Sequence, residues 1–395
     1  ADKIAIQTMR RHSNSQEPLS GEDLKYDARA LAIFISAVFG VDVPHELNVL
    51  IPHTNRPYQK GLEINNRRIR CIVKNWDSDF IRVDIDQDAD EEEYLVRLKD
   101  EENHIDHTYL WDLLKEGMQL NLLDCQVKQP IITPRLIVVE PDYLVDISSI
   151  ATCFTAFGHH PLLYLLNLMK PRANTQATLL GNFAGAALDD IINTHGKYQM
   201  NETVKTNFRE KALEFCTCPW FDAKKFYTDA SLQAFNLQQV VDILFPRTAS
   251  QAQMTAFRGE EFYDRKKAIL EPSFVCEALG IQGRVDLMTT DCKLLVEQKS
   301  GRNMNIETHQ TDPSYHSYQL EPHYVQLLLY YGVLQHNFKL SNERVNIRLL
   351  YSKYQPQDGL MVVAYYRKLF QEAITYRNQL VAASFEIAKE GFEHA

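Results

Sequence analysis

The sequence predicts an α/β chain in which a mixed sheet flanked by helices follows a small β-barrel-like domain. Three observations predict it. Between residues 46 and 147, short stretches of alternating polar and apolar residues succeed one another at turn-length spacing. From residue 148 the apolar spacing becomes mostly helical. Within that helical half, strand-like runs recur at Ile281–Met288, Leu294–Lys299 and Arg344–Tyr351.

Residues 1–45 read as an arm and a helix: the first twenty are polar, and Glu22–Phe39 has helical spacing before a Pro/Gly-containing break. The β-rich segment, 46–147, holds the clearest hairpin, with Arg70–Trp76 and Phe80–Asp84 on either side of an Asp77-Ser78-Asp79 turn. A helical insertion is expected at His107–Lys115, then strands at Met118–Val127 and Arg135–Val139. In 148–395, helices are expected at Leu162–Met169, Ala177–Asn193, Val204–Cys216, Leu232–Leu244, Pro322–Gln335 and Leu369–Lys389. The last of these ends without a strong cap, as a chain that continues in a longer protein would.

A chain of 395 residues with 45% hydrophobic content can bury a sizeable core, and two domains are expected. Its longest apolar run, Leu31–Gly40, is too short to span a bilayer, and no signal-peptide pattern opens the chain, so a soluble, cytoplasmic protein with no membrane partner is expected. Seven cysteines (71, 125, 153, 216, 218, 276 and 292) lack paired C-x-x-C spacing and read as reduced, mostly buried thiols. The net charge of −10 weighs mildly against nucleic acid. Local basic clusters offset it: Arg67-Arg68-Arg70, Lys170-Arg172, Arg265-Lys266-Lys267 and Arg367-Lys368, each of which also suits a solvated face.

The chemistry concentrates at Gly280-Ile281-Gln282-Gly283-Arg284-Val285-Asp286 and Leu294-Leu295-Val296-Glu297-Gln298-Lys299. An antiparallel turn centred on Asp291-Cys292 sets Asp286 directly opposite Glu297, and period-two alternation puts Lys299 on the face of Glu297. Two facing carboxylates repel unless a cation lies between them. Mg²⁺ or Mn²⁺ meets that demand, with Asp286, Glu297 and the backbone carbonyl of Gln298 as ligands and Lys299 beside the attacking water. A plain surface hairpin with a cross-strand Glu-Lys pair fits the same spacing. In the helix that follows, His323, Gln326 and Tyr330 form a polar stripe at i, i+3 and i+7 on an apolar segment.

Taken in order, G-x-x-G-x-V-D, V-E-x-K-S-G and H-x-x-Q-x-x-x-Y resemble the RecB-like branch of the PD-(D/E)XK nuclease superfamily, and in particular the nuclease part of flap-processing replication helicase-nucleases. Pro141–Val145 with Ser148-Ser149, and Tyr376–Leu380, are similar to the segments that enter and leave that nuclease, so the resemblance covers residues 110 to 382. It implies a restriction-endonuclease-like fold behind an OB-like barrel. It also implies Asp286 and Glu297 as metal ligands, Lys299 as the catalytic lysine, and Gln326 and Tyr330 as the closing motif. The expected reaction is DNA phosphodiester hydrolysis on single-stranded or flap substrates in repair or replication, alongside a helicase domain or partner. The alternative is a catalytically degenerate DNA-binding module that positions DNA for a helicase.

Two departures stand out. Gly185 occupies the place where the family carries a metal-binding His, and Asp189, one turn on, reads as an ordinary exposed or capping residue sooner than as a substitute ligand. No cysteine follows Cys292, so no iron-sulfur cluster is expected. Other signals carry less. The Asp84-x-Asp86-x-Asp88 run has Ala89 and Leu95 where a calcium loop needs Gly and Glu, and belongs to an acidic loop. Cys216-x-Cys218 lacks partners, His159-His160 suits a helix start, and no Walker phosphate loop occurs. Trp76 and Phe80 are candidate base-stacking platforms for which core packing is the stronger reading.

Overall fold

A computed structural model describes residues 68–85, 93–155, 158–170, 173–194, 196–257, 259–307, 321–338, 340 and 345–391. The expected N-terminal arm and helix, the acidic loop around Asp86 and Asp88, and Arg67 and Arg172 of the basic clusters lie outside these residues.

The described part of the β-rich segment builds a seven-stranded sheet from β1 (Arg68–Trp76), β2 (Phe80–Ile85), β3 (Tyr94–Arg97), β4 (Gln119–Leu123), β5 (Gln126–Lys128), β6 (Ile131–Thr133) and β7 (Leu136–Val139), with a two-residue pairing of Lys99–Asp100 and Ile105–Asp106 beside it. The expected hairpin is β1–β2, with a bulge between Val73 and Asn75. Alternation buries Ile69, Cys71 and Val73 of β1 against Ile81 and Val83 of β2 and Val96 of β3. Strand order runs β5-β6-β3-β2-β1-β4-β7. Segments 119–128 and 131–139 are the two arms of one antiparallel hairpin in constant register, Leu123 opposite Leu136 and Gln126 opposite Thr133, and this hairpin pairs with β1 through β4 and with β3 through β6. The helical insertion shrinks to a single 3₁₀ turn, Thr108–Asp112.

The second half is a mixed α/β arrangement. A three-stranded sheet joins β8 (Val145–Asp146), β10 (Ser273–Cys276) and β11 (Ile281–Arg284). A five-stranded sheet joins β9 (Ala268–Leu270), β12 (Leu287–Thr289), β13 (Leu294–Lys299), β14 (Asn346–Tyr351) and β15 (Leu360–Val362) in that spatial order, with β13 and β14 parallel and the other neighbours antiparallel. The single strand expected at Ile281–Met288 is therefore two. The chain leaves one sheet after Arg284 and enters the other at Leu287, and Asp286 sits at the crossing.

Helices cover both faces of the five-stranded sheet. Leu294 and Val296 pack with α1 (Gln176–Asn193) and α2 (Ala223–Leu244), whereas Leu295 packs with α3 (Glu321–Phe338). By the period-two rule Glu297 and Lys299 share the α3 face with Leu295, and Gln298 shares the other. The helix expected over Val204–Cys216 breaks at Lys211 into Met200–Glu210 and Ala212–Cys216, and a helix over Ala249–Phe257 had no clear signal. The final helix, α4 (Arg367–Glu390), closes on Gly391 at φ 82°, a conformation glycine adopts without strain, so its end is better marked than the sequence suggested. No described helix is long and apolar enough to cross a membrane.

α3 and α4 meet at Gly332, where an added Cβ would lie 2.4 Å from the Phe370 ring. Alanine favours a helix interior over glycine by about 1 kcal/mol, but overpacking costs about 1–3 kcal/mol. Gly332→Ala is therefore expected to lower stability, read as a fall in the urea midpoint at unchanged slope.

Candidate active site

The β12–β13 register pairs Leu287 with Val296 and Met288 with Leu295, which carries Asp286 into line with Glu297 as a turn at Asp291-Cys292 requires. Asp286 is half-buried, and its Oδ2 accepts the Gln298 N–H at 2.6 Å. Glu297 is 2% exposed. Its Oε1 accepts from Lys299 Nζ at 2.8 Å and from Gln326 Nε2 at 2.6 Å, and Gln326 Oε1 accepts from the same Lys299 Nζ at 3.0 Å. The closed triangle of Glu297, Lys299 and Gln326 fixes all three side chains. Tyr330, one turn beyond Gln326, donates to the Arg284 carbonyl at 2.6 Å and so anchors the segment that delivers Asp286.

Both glycines of the G-x-x-G run now have a cause. A Cβ on Gly283 would lie 3.0 Å from the Tyr330 ring and hydroxyl, so Tyr330 reaches the backbone only across glycine. Gly280 has φ 61°, and a Cβ there would enter the Arg377 guanidinium at 2.3 Å.

Electrostatically the site is under tension. Burial, then the charge of Asp286, push the Glu297 carboxyl from 4.5 up to about 8, with the Lys299 charge and hydrogen bond and the Asp286 backbone pulling the other way. Burial also raises Asp286. Glu297 Oε2 is buried and makes no hydrogen bond. Such an oxygen is costly unless a cation or a proton meets it. Two hard carboxylates with one orphaned oxygen fit a divalent ion, with Asp286, Glu297 and the Gln298 carbonyl as the donors. The Gln298 side chain turns away, donating to Ser352 Oγ at 2.7 Å, so only its backbone faces this side. Among the described residues no three His, Cys, Asp or Glu side chains gather as a metal-holding group.

Asp189 is half-buried rather than exposed, and is no cap. Burial, then Glu271 and Asp286, push it up to about 7, so it shares the field of the site. At Gly185 an added Cβ would meet nothing within 4 Å. His323 Nδ1 pairs with Tyr351 Oη at 3.0 Å, and burial, then the Lys299 charge, hold its imidazole down at about 3 and hence neutral.

Sequence reasoning missed the support beneath Lys299. Ser352 Oγ donates to Gln233 Oε1 at 2.6 Å, Asn236 Nδ2 donates to the Ser352 carbonyl at 3.0 Å, and Gln233 Nε2 donates to the Ser300 carbonyl at 3.1 Å. A buried Gln and Asn three apart on α2, Gln233 and Asn236, were the available signal.

Elsewhere, His160 Nδ1 accepts the Leu162 N–H at 3.2 Å, a helix-start role, while His159 bridges Glu321 of α3 and Glu372 of α4 at 2.9 and 2.8 Å. Burial opposes the His159 charge, yet the two glutamates raise its pKa. A raised folded pKa means stabilisation complete below the unfolded value, about 6.5, and lost as pH rises through the folded value. His159→Gln is expected to flatten the decline of melting temperature above about pH 6.5. Six of the seven cysteines are buried and Cys216 is exposed; all are free thiols. Trp76 packs on the β-rich core, and Phe80 lies 5.6 Å beneath the Arg97 guanidinium.

No known protein-family model matches this chain. A search of curated proteins likewise finds no match.

Proposed function

We propose that this chain is a metal-dependent DNA nuclease of the PD-(D/E)XK type, with a restriction-endonuclease-like core formed by the five-stranded sheet and its flanking helices. The observation that carries the reading is the buried, unpartnered Glu297 Oε2 beside Asp286. Asp286, Glu297 and the Gln298 carbonyl would hold Mg²⁺ or Mn²⁺. When bound, such an ion stabilises charge on a phosphoryl group and makes a nucleophile available at neutral pH.

The chain's own residues supply the rest. Lys299, fixed by Glu297 and Gln326, directs a cationic N–H toward the attacking water and the phosphate. Gln326 keeps Lys299 from collapsing wholly onto Glu297. Tyr330 holds the Arg284–Asp286 crossing in place. Single-stranded or flap DNA in repair or replication, with a helicase domain or partner, remains the substrate setting that the motif resemblance implies.

A second reading, a nuclease scaffold that binds DNA for a helicase without cutting it, draws on Gly185, which stands where the motif resemblance expects a metal-binding His. One experiment separates the two. Labelled single-stranded and flap DNA is incubated with the protein in Mg²⁺ or Mn²⁺, alongside Glu297→Ala and Lys299→Ala. The nuclease reading expects cleavage that falls by about 10²–10³-fold or more in each variant. Cleavage surviving both substitutions removes the site assignment, and salt-sensitive binding without cleavage in either metal favours the scaffold.

A further inference from the structure

The parallel strands β13 and β14 end side by side, Lys299 opposite Tyr351, and the segments that leave them are laced together. Ser352 N–H donates to the Lys299 carbonyl at 2.9 Å, and Asn303 N–H donates to Tyr354 Oη at 2.7 Å. Ser352 and Asn303 are fully buried. Such a buried, satisfied polar network gives two strand-end loops a single geometry. What they present is cationic. Arg302 from the first loop and Lys353 from the second converge on one carboxylate, Glu307, at 2.7 and 3.0 Å.

The arrangement carries two positive charges against one negative, since these partners hold Glu307 down at about 2 and fully ionised. Arg302 remains 68% exposed and Lys353 34%. Both lie three residues or fewer beyond the carboxyl ends of adjacent parallel strands, the position at which open α/β sheets bind ligands. Lys299 ends the first of those strands, three residues before Arg302.

We propose that Arg302 and Lys353 form a phosphate clamp that grips the DNA backbone beside the scissile position, with Glu307 as the anion that spaces them before DNA arrives. The clamp deepens the nuclease reading and rests on it for the identity of the ligand. Arg provides a planar fork and Lys a point charge, a combination that recognises a phosphodiester without reading bases. Glu307 has a defined part: it competes with phosphate for both cations.

The test is binding of fluorescein-labelled oligothymidine to the full chain in Ca²⁺, by anisotropy across a salt series, for wild type, the Arg302→Gln/Lys353→Gln double variant, and Glu307→Gln. Two lost contacts to a single strand are expected to reduce the slope of log affinity against log salt by about 1.4. Where cleavage is measured, KM is expected to rise by more than kcat falls. Glu307→Gln is expected to tighten binding by about two- to fivefold at low salt while lowering the melting temperature, because it frees the cations and removes their staple. An ion pair that serves stability alone would instead lower the melting temperature in both variants with no change in salt slope and no tighter binding, and that result overturns the clamp. A reduced slope in the double variant, together with wild-type protein that never cleaves in Mn²⁺, refutes the nuclease reading and leaves the clamp standing.

Discussion

Glu297→Gln is expected to stabilise the metal-free protein and to abolish its function. In the folded state burial and Asp286 raise the Glu297 carboxyl from 4.5 to about 8, so the folded chain binds the proton more tightly than the unfolded chain. Stability of the metal-free wild type therefore falls as pH rises between those two values. At pH 7 the unfavourable difference is on the order of 3 kcal/mol. Glutamine removes the charge and keeps the amide-sized shape beside Lys299 and Gln326. The variant should melt higher than wild type in EDTA at pH 7 to 8, lose the pH slope, and show no rise in melting temperature with Mn²⁺. Wild type should show that rise, and more strongly at higher pH, because the ion must displace the proton. A carboxylate that serves only a structural ion pair with Lys299 would behave oppositely, the variant melting lower at every pH.

The largest loss of stability is expected at Arg377. It is fully buried, and its guanidinium donates to the carbonyls of Val139, Glu140, Tyr143 and Gly280, tying the β-rich sheet and the start of the Gly280–Asp286 segment onto α4. Its neighbour Asn378 adds a donor to the Ile137 carbonyl at 2.8 Å and an acceptor for the Val139 N–H at 3.0 Å. Arg377→Met would remove four hydrogen bonds at once, leaving the Gly280 and Glu140 carbonyls with only the Val145 and Tyr143 N–H groups, at a cost of about 3–5 kcal/mol. Lysine would not restore it, since a point charge cannot reproduce the planar fork. Urea unfolding should show the loss as a lower midpoint. A broadened or biphasic transition is also expected, because this contact joins the β-rich sheet to the helical half. A change below about 1 kcal/mol would mean that apolar packing alone holds the two together.

Much of the site was legible because its information is local. A hairpin register follows from a turn and a period of two, so Asp286, Glu297 and Lys299 could be placed from fourteen consecutive residues, 286–299. Gln326 and Tyr330 were visible as a polar stripe on an apolar helix, though which one meets Lys299 was not.

What escaped depends on distant partners. The order of the seven-stranded sheet was hidden because β3 pairs in parallel with β6 more than thirty residues on, and nothing in the alternation of either strand announces that pairing. Ile281–Leu287 keeps a period of two, so the change of sheet at Val285-Asp286 leaves no mark; the cause lies in Pro272 and Glu271, which bond to those two residues from another strand's end. Asp189 looked like an ordinary helix aspartate because Glu271 and Asp286, the charges that raise it, come from elsewhere in the chain. Ser352, Gln233 and Gln298 form one buried network from three separate elements, and each alone reads as a surface residue.

The measurement that bears most directly on the proposal is anomalous diffraction from a crystal of the protein soaked in Mn²⁺. The expected result is a peak between the Asp286 and Glu297 carboxylates, about 2.0–2.3 Å from an oxygen of each, with Lys299 Nζ still on Gln326. A peak absent from that position, with Glu297 Oε2 turned to a protein donor instead, would contradict it.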